Sequence, residues 1–437
     1  MNILLIGSGA REHAIARALH SSPQKPQLFC FGSNRNPGLI ELSRVFTSGS
    51  VTDVETITAF ATSHSIDLAI IGPEAPLAAG LADALIARGI PCVGPKQKLA
   101  QIETSKGFTR QLLVKYSIPG CPKFEVYDSL EGAAGFLAEL GENFVVKYDG
   151  LMGGKGVKVA GDHLHSHEEA LNYCRELVES GGRFVIEEKL IGQEFSLMSF
   201  SDGENLAHMP PVQDHKRAFV GDTGPNTGGM GSYSDADHSL PFLTEDDLRQ
   251  ARSINEATID ALRAEFGEKY IGILYGGFIA TGDGVKLIEY NARFGDPEGM
   301  NVLALLESDF VEICNAMIDG TIGRLKVRFA HLATVCKYAV PEGYPGAPVK
   351  GQPIDISEVS HKEQLYLASV DAKNGQLLEA GSRTAAYVGV AATLPEAEAK
   401  AEAEIRKIKG PLFHREDIGT ADLIRKRVEQ MKLLRGK

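Results

Sequence analysis

Within Leu287-Ile288-Glu289-Tyr290-Asn291-Ala292-Arg293, a strand would set Glu289 and Asn291 on one face. At the usual rise per residue their oxygen donors stand about 7 Å apart along the strand. Hard oxygen ligands on rigid backbone suit magnesium bridging phosphates, with phosphate and water filling the other positions. Arg293 follows on the same face at or just past the strand end, and Phe294-Gly295-Asp296-Pro297-Glu298 comes directly after it.

A polyphosphate needs positive charge, and the stretch from Lys147 to Val157 supplies it. There Lys147 and Lys155 surround a loop containing Gly150, Gly153, Gly154 and Gly156. Glycines let the backbone approach phosphates closely, and lysines add point charge. The spacing is not that of a P-loop, because Lys155 is followed by glycine. Lys106, in Glu103-Thr104-Ser105-Lys106, is a third cation for the same task. The apolar run Phe184-Val185-Ile186 continues through Glu187-Glu188-Lys189-Leu190 into a short linker, with Glu194 four residues beyond. Backbone groups of such a linker can pair with an adenine edge, and a carboxylate can accept both ribose hydroxyls.

Two further segments read as small-molecule sites. Gln213-Asp214-His215-Lys216-Arg217 leads into the glycine-dense Asp222-Thr223-Gly224-Pro225-Asn226-Thr227-Gly228-Gly229-Met230-Gly231. Long polar loops of this kind are commonly functional. Asp214 suits the ammonium of a zwitterionic amino acid, and a cation with backbone N–H groups suits its carboxylate. At the N-terminus, Gly7-Ser8-Gly9-Ala10-Arg11-Glu12-His13 joins a strand to a helix start, where free amides favour an anion. The third glycine of a dinucleotide fingerprint is Glu12 here, and Gly32-Ser33-Asn34-Arg35 offers no carboxylate for a ribose. A small phosphate held with help from Arg11 therefore fits better than a nicotinamide dinucleotide. The string His163, His165, His167 reads as a solvated turn before a helix capped by Ser166 and Glu169.

These residues need a scaffold. Ile3-Leu4-Leu5-Ile6, Leu28-Phe29-Cys30-Phe31, Leu68-Ala69-Ile70-Ile71 and Pro91-Cys92-Val93 alternate with amphipathic stretches, the rhythm of buried parallel strands. From Lys106 to about Asn291 the order becomes mixed, as in an α+β unit, with Gly282-Asp283-Gly284 signalling a hairpin. After about Arg328, short β-like runs and a helix from Pro395 to Lys409 read as a small third domain. The closing segment Asp422 to Lys432 reads as a surface helix with a solvated face.

A chain of 437 residues exceeds what one core supports, so two to four domains are expected. A net charge of -12 argues against nucleic-acid binding, which draws on clustered Lys and Arg. No run approaches the roughly 18 apolar residues of a membrane span. Six scattered cysteines show no disulfide or zinc spacing. A cytoplasmic protein is expected, monomeric, with a dimer as the alternative.

Taken together, Gly72-Pro73-Glu74-Ala75-Pro76-Leu77, the Asp214 and Asp222 segments and Ile288 to Glu298 resemble the phosphoribosylamine-glycine ligases of purine biosynthesis, within the ATP-grasp superfamily. The resemblance spans essentially the whole chain. It implies a parallel α/β pre-ATP-grasp domain over 1–103 and an ATP-grasp domain over 104–325 with a mobile small lobe at about 120–192. A β-rich C-terminal domain like that of biotin carboxylase would follow over 326–437.

The activity it implies is ATP-dependent joining of glycine to 5-phosphoribosylamine through glycyl phosphate, with magnesium, or manganese in its place. By motif, Lys106, Lys147 and Lys155, with Gly153, Gly154 and Gly156, would meet ATP phosphates. Glu187 and Leu190 would meet the adenine, Glu194 the ribose, and Glu289 with Asn291 the metal. Gly9, Arg11, Pro73 and Glu74 would face phosphoribosylamine, while Asp214, Lys216, Thr223, Gly224, Asn226, Thr227 and Arg293 would surround the substrates. Arg293 and Lys155 would serve catalysis. Tyr148 and Met152-Gly153 depart from the alanine-rich lid of the family. The alternative within the superfamily is another carboxylate-amine ligase or carboxylase of purine metabolism. Outside it stand a nicotinamide oxidoreductase and a silent nucleotide binder.

Overall fold

The computed structural model describes residues 1–152 and 156–436. Strands β1 (Asn2–Ile6), β2 (Gln27–Gly32), β3 (Val45–Ser48), β4 (Leu68–Ile71) and β5 (Cys92–Val93) form a sheet in the order β3-β2-β1-β4-β5. All its pairings are parallel. Ile3, Leu4, Leu5 and Ile6 are fully buried, as expected of a strand covered on both faces. Of these strands only β3 is absent from the sequence reading; its four residues lack a continuous apolar run.

A second antiparallel sheet is built from β6 (Phe124–Tyr127), β7 (Phe144–Tyr148), β8 (Val157–Val159) and β9 (Phe184–Glu188), ordered β6-β9-β7-β8. The helix His167–Glu179 packs on it. Phe144, Val146, Leu177, Phe184 and Ile186 belong to a hydrophobic core of its own, separate from the large core of the rest of the chain. This unit is a small lobe facing the body across a cleft.

The body carries β10 (Gln193–Asp202), β11 (Leu206–His208), β16 (Ile271–Thr281) and β17 (Gly284–Asn291), ordered β11-β10-β16-β17. The helix Glu245–Phe266 covers them, opened by a capping box from Thr244 and Asp247. The β16–β17 hairpin turns at the expected place, pairing Thr281 with Gly284. One irregularity interrupts it: Gly277 pairs with Glu289 and Phe278 with Leu287, leaving Ile288 without a partner residue. Such a bulge shifts the parity of the strand. Val285 and Leu287 are buried before it, and Tyr290 after it, so Glu289 and Asn291 turn away from the core.

The third region does not stand apart from the second. Strand β12 (Gln213–Asp214) pairs with β15 (Gly231–Ser234), and β15 pairs with β18 (Ala333–Pro341). Between them the short strands β13 (Arg217–Phe219) and β14 (Thr223–Asn226) make a separate hairpin. Among the later strands β19 (Pro353–Ile354), β20 (Leu365–Leu367), β21 (Val370–Lys373), β22 (Gln376–Glu379) and β23 (Ala385–Ala391), β23 and β20 extend this sheet as β12-β15-β18-β23-β20. A sheet thus runs from Asp214 into the C-terminal region. The closing segment forms the expected surface helix, Ala421–Leu434, with a solvated face, and its Arg427 and Gln430 also line the cleft. No described helix is long and apolar enough to cross a membrane.

Candidate active site

A cleft of about 810 Å³ lies between the small lobe and the body. On its lobe side, Lys147 from β7 is buried, with Nζ 2.7 Å from Glu187 Oε2 of β9. Arg110, from the helix Lys106–Lys115, grips the same carboxylate through Nε at 2.8 Å and Nη2 at 2.9 Å. The Ile288 carbonyl at the bulge accepts from Lys147 Nζ at 3.2 Å and from Arg110 Nη2 at 2.7 Å. Burial would raise the Glu187 pKa, but Arg110 and Lys147 bring it down to about 2. The Glu187 side chain is therefore committed to two cations; Leu190 lies in the linker beyond and lines the cleft. Lys106 Nζ donates to Gly150 O at 3.0 Å, at the start of the glycine loop. Gly156 lines the cleft. Gly153, Gly154 and Lys155 lie outside the described residues.

Opposite, the face of β17 bears Glu289 and Asn291 into the same cleft. Burial pushes the Glu289 carboxyl up, and Lys216, Lys106, Lys147 and Arg293 together draw it below its ordinary range. Lys216 Nζ stands 3.5 Å from Glu194 Oε2 and 4.0 Å from Glu289 Oε1, so it links the carboxylates expected at the ribose and at the metal. Asn291 Oδ1 accepts from Arg293 Nη2 at 3.2 Å. Arg293 is also held by Glu103 Oε1 at 3.0 Å and by Glu74 Oε2 at 3.5 Å. Burial disfavours its charge, yet Glu103 and Glu74 keep its pKa above the ordinary value.

The N-terminal loop is organised differently from the sequence reading. Arg11 lines the cleft with Pro73 and Glu74, but its Nε donates to Glu12 Oε1 at 2.6 Å and its Nη1 to Phe294 O at 3.1 Å. The Gly9 amide, expected to meet a phosphate, donates to Glu12 Oε2 at 2.7 Å. A carboxylate of the chain itself takes this anion position, and Gly9 does not line the cleft.

On the remaining wall, Asp214, Lys216, Asn226 and Thr227 line the cleft, while Thr223 and Gly224 do not. Those two lie in β14 on the hairpin, where the Gly224 carbonyl accepts from Arg217 Nη1 at 2.9 Å and Thr223 Oγ1 donates to Val220 O at 3.0 Å. Burial raises the Asp214 pKa well above its ordinary value, and Glu298 adds to the rise against Lys216 and Arg383. A carboxylate with this bias gains by meeting a cationic ligand. The histidine string lies on a turn leading into the helix capped by Ser166, as read, with His165 exposed, and His163 also lines the cleft.

Three cleft-lining arginines escaped the sequence reading. Arg110 sits in a helix interior, where its spacing gave no sign of burial. Arg383, two residues before β23, donates through Nη1 to Gly228 O at 2.6 Å, Gly229 O at 3.1 Å and Asp296 O at 3.0 Å. Its Nη2 lies 3.1 Å from Asp296 Oδ2, and its guanidinium carbon 4.5 Å from the centre of the Tyr338 ring. Arg427, with Arg415, holds Asp222 at the tip of the β13–β14 hairpin. Across the cleft, Arg217 of that hairpin reaches Asp162 of the small lobe at 2.6 Å.

Comparison with known proteins identifies the family. The phosphoribosylglycinamide synthetase N domain matches residues 1–103, the ATP-grasp (A) domain of the same family residues 104–299, and its C domain residues 334–421. The phosphoribosylamine-glycine ligase of Methanosarcina barkeri is 49% identical over 436 residues, covering 100% of both chains. That of Methanocaldococcus jannaschii is 49% identical over 445 residues, again covering 100% of both. The crystal structure of phosphoribosylamine-glycine ligase from Thermotoga maritima superposes with a TM-score of 0.81 at 28% identity, over 96% of this chain and 100% of that one. Biotin carboxylase from Campylobacter jejuni, at 14% identity and a TM-score of 0.73 over 97% and 96% of the two chains, shares the fold. With all three family domains matched in order and near-half identity across full-length relatives, the chain belongs to the phosphoribosylglycinamide synthetase family.

Proposed function

We propose that this protein is an ATP-dependent carbon-nitrogen ligase that joins glycine to 5-phosphoribosylamine, giving glycinamide ribonucleotide, ADP and phosphate. The observation that carries the reading is the convergence, in one cleft, of Lys106 and Lys147, the Glu289–Asn291 face, the anchored Arg293 and the Asp214 wall. A pathway role in purine synthesis accompanies the family.

The lysines suit the nucleotide phosphates, Leu190 the base and Glu194 the ribose. Glu289 and Asn291 fit magnesium: two hard oxygen donors on one strand face, one of them held ionised by the surrounding cations. A divalent ion there would neutralise phosphate oxygens as charge moves. Asp214 would take the ammonium of glycine, leaving the glycine carboxylate as the nucleophile. One carboxylate oxygen bonds to the γ-phosphorus while the bond to the β-bridging oxygen breaks, releasing ADP and forming glycyl phosphate. Arg293, anchored by Glu74 and Glu103 in the same cleft, is our candidate to meet charge on the transferred group. The phosphoribosylamine nitrogen then bonds to the acyl carbon, phosphate leaves, and the nitrogen loses a proton to solvent or phosphate. Orientation rather than a strong base supplies most of the acceleration, an effect worth up to about 7–11 kcal/mol in well-aligned systems.

The test measures ADP release from magnesium ATP, with phosphoribosylamine generated in place from ribose 5-phosphate and ammonia. Glycine is compared with alanine, serine, bicarbonate and formate. Release that requires both glycine and phosphoribosylamine is expected; release driven by bicarbonate or formate instead would overturn the substrate assignment.

A further inference from the structure

The nucleotide side of the cleft contains a buried group of three charges. Lys147 and Glu187 belong to the small lobe, and Arg110 belongs to a helix whose Leu112 and Leu113 lie in the body core. The Arg110, Glu187 and Lys147 residues are 2%, 3% and 7% exposed. Without Arg110 the remaining pair would be neutral. A Lys147 ammonium 2.7 Å from a carboxylate shared with no other cation has most of its field cancelled towards any anion beyond it. Arg110 changes that sum. Its planar fork occupies both Glu187 oxygens, a geometry a lysine cannot reproduce, and leaves the group with one net positive charge facing the cleft. Among the described residues Arg110 Nη1 has no hydrogen-bond partner, and the residue lines the cleft wall.

We infer that Arg110 is a positioning residue for nucleotide binding: by engaging both oxygens of Glu187 it keeps the Lys147 charge uncancelled and aimed at the phosphates. The inference rests on the nucleotide reading of this cleft. It also accounts for the Ile288 bulge, whose carbonyl receives both cations and fixes them to the strand that bears Glu289 and Asn291. Positive charge and metal-binding face are thereby set at one distance from each other.

The experiment measures the dissociation constant of magnesium ATP by titration calorimetry in the full-length protein and in Arg110→Met, Arg110→Lys and the double variant Arg110→Met/Glu187→Gln. Melting temperature and the KM for glycine are measured alongside. Arg110→Met is expected to weaken ATP at least tenfold while the glycine KM stays within twofold. The double variant restores a net charge of one through Lys147 alone, so its affinity returns to within about fivefold of the parent. Arg110→Lys, keeping the charge but not the fork, falls between the parent and Arg110→Met. A merely structural role predicts the reverse order, with the double variant weakest; that order, or unchanged binding in Arg110→Met, overturns the inference. If Arg110→Met does not fold, the double variant decides: within fivefold supports the inference, and a folded protein tenfold weaker overturns it. A parent protein that binds no ATP overturns the nucleotide reading itself, an outcome distinct from an unchanged Arg110→Met in a parent that does bind.

Discussion

Arg383→Ala tests whether the C-terminal region shapes the amino-acid side of the cleft. The side chain is 15% exposed and spends its N–H groups on Gly228, Gly229 and both the backbone and the carboxylate of Asp296. A hydrogen bond from a charged donor contributes about 1.5–3 kcal/mol, so a plain sum over the three carbonyls would exceed 4 kcal/mol. The cleft is open to water, which rehydrates the freed carbonyls and reduces the net loss to about 2–3 kcal/mol. The loop it secures abuts Asp214: a Cβ added at Gly229 would lie 2.7 Å from Asp214 Oδ1. Loosening the loop therefore acts where glycine is expected rather than where ATP is. At about 1.4 kcal/mol per tenfold, the glycine KM should rise roughly 30- to 150-fold. Steady-state ADP release, varied first in glycine and then in ATP at saturating partners, reads both constants. A glycine KM within threefold of the parent, or an ATP KM that rises equally, would refute the reasoning.

Three other outcomes are expected. Glu289→Ala should cut turnover at least a hundredfold while the melting temperature stays within a few degrees; near-normal turnover in the presence of magnesium would remove the metal assignment. Gly229→Ala forces a side chain onto φ +107° with Pro297 Cδ 2.6 Å away, a strain of about 1–3 kcal/mol. Melting should fall and glycine KM rise, whereas Gly221→Ala, at φ +75° with open space around it, should be milder in both. The Glu379 pKa is raised from an ordinary 4.5 to about 7 by burial and by Glu342. Its protonated form favours the folded state, so this stabilisation is complete below pH 4.5 and lost as pH rises through 7. Melting curves of Glu379→Gln should show less loss of stability between pH 5 and 8 than the parent; identical pH dependence would exclude Glu379 as the source.

Local signals were readable where the chemistry is local. Glu289 and Asn291 share a face at a spacing of two, and the glycine loop beside Lys147 follows a buried strand, so both could be placed from neighbours in the chain. The bulge at Ile288 could not, because nothing in its residue type marks an unpaired position, although the apolar run Leu287-Ile288 breaks the alternation there. Glu12 shows a different limit. Its place in the fingerprint excluded a dinucleotide, but that its carboxylate would cap Gly9 depends on a fold-back of the side chain. Arg110, Arg383 and Arg427 meet partners 77, 87 and 205 positions away in sequence. Interactions over such separations are set by how sheets stack, which no periodicity records.

The separate core of the small lobe bears on how the molecule opens. Its packed residues, from Tyr127 to Ile186, exclude the body's apolar side chains, so the lobe holds a cooperative unit whose loss need not propagate. Amide exchange in native buffer should resolve two protection levels, with β7 and β9 exchanging by a subglobal route while β1 and β4 wait for complete unfolding. A ligand that bridges the cleft would raise the lower level toward the upper one, because exchange through the lobe would then require its release. Protease susceptibility of the lobe would follow the same rule, making occupancy of the cleft, rather than overall stability, what sets the lifetime of the intact chain.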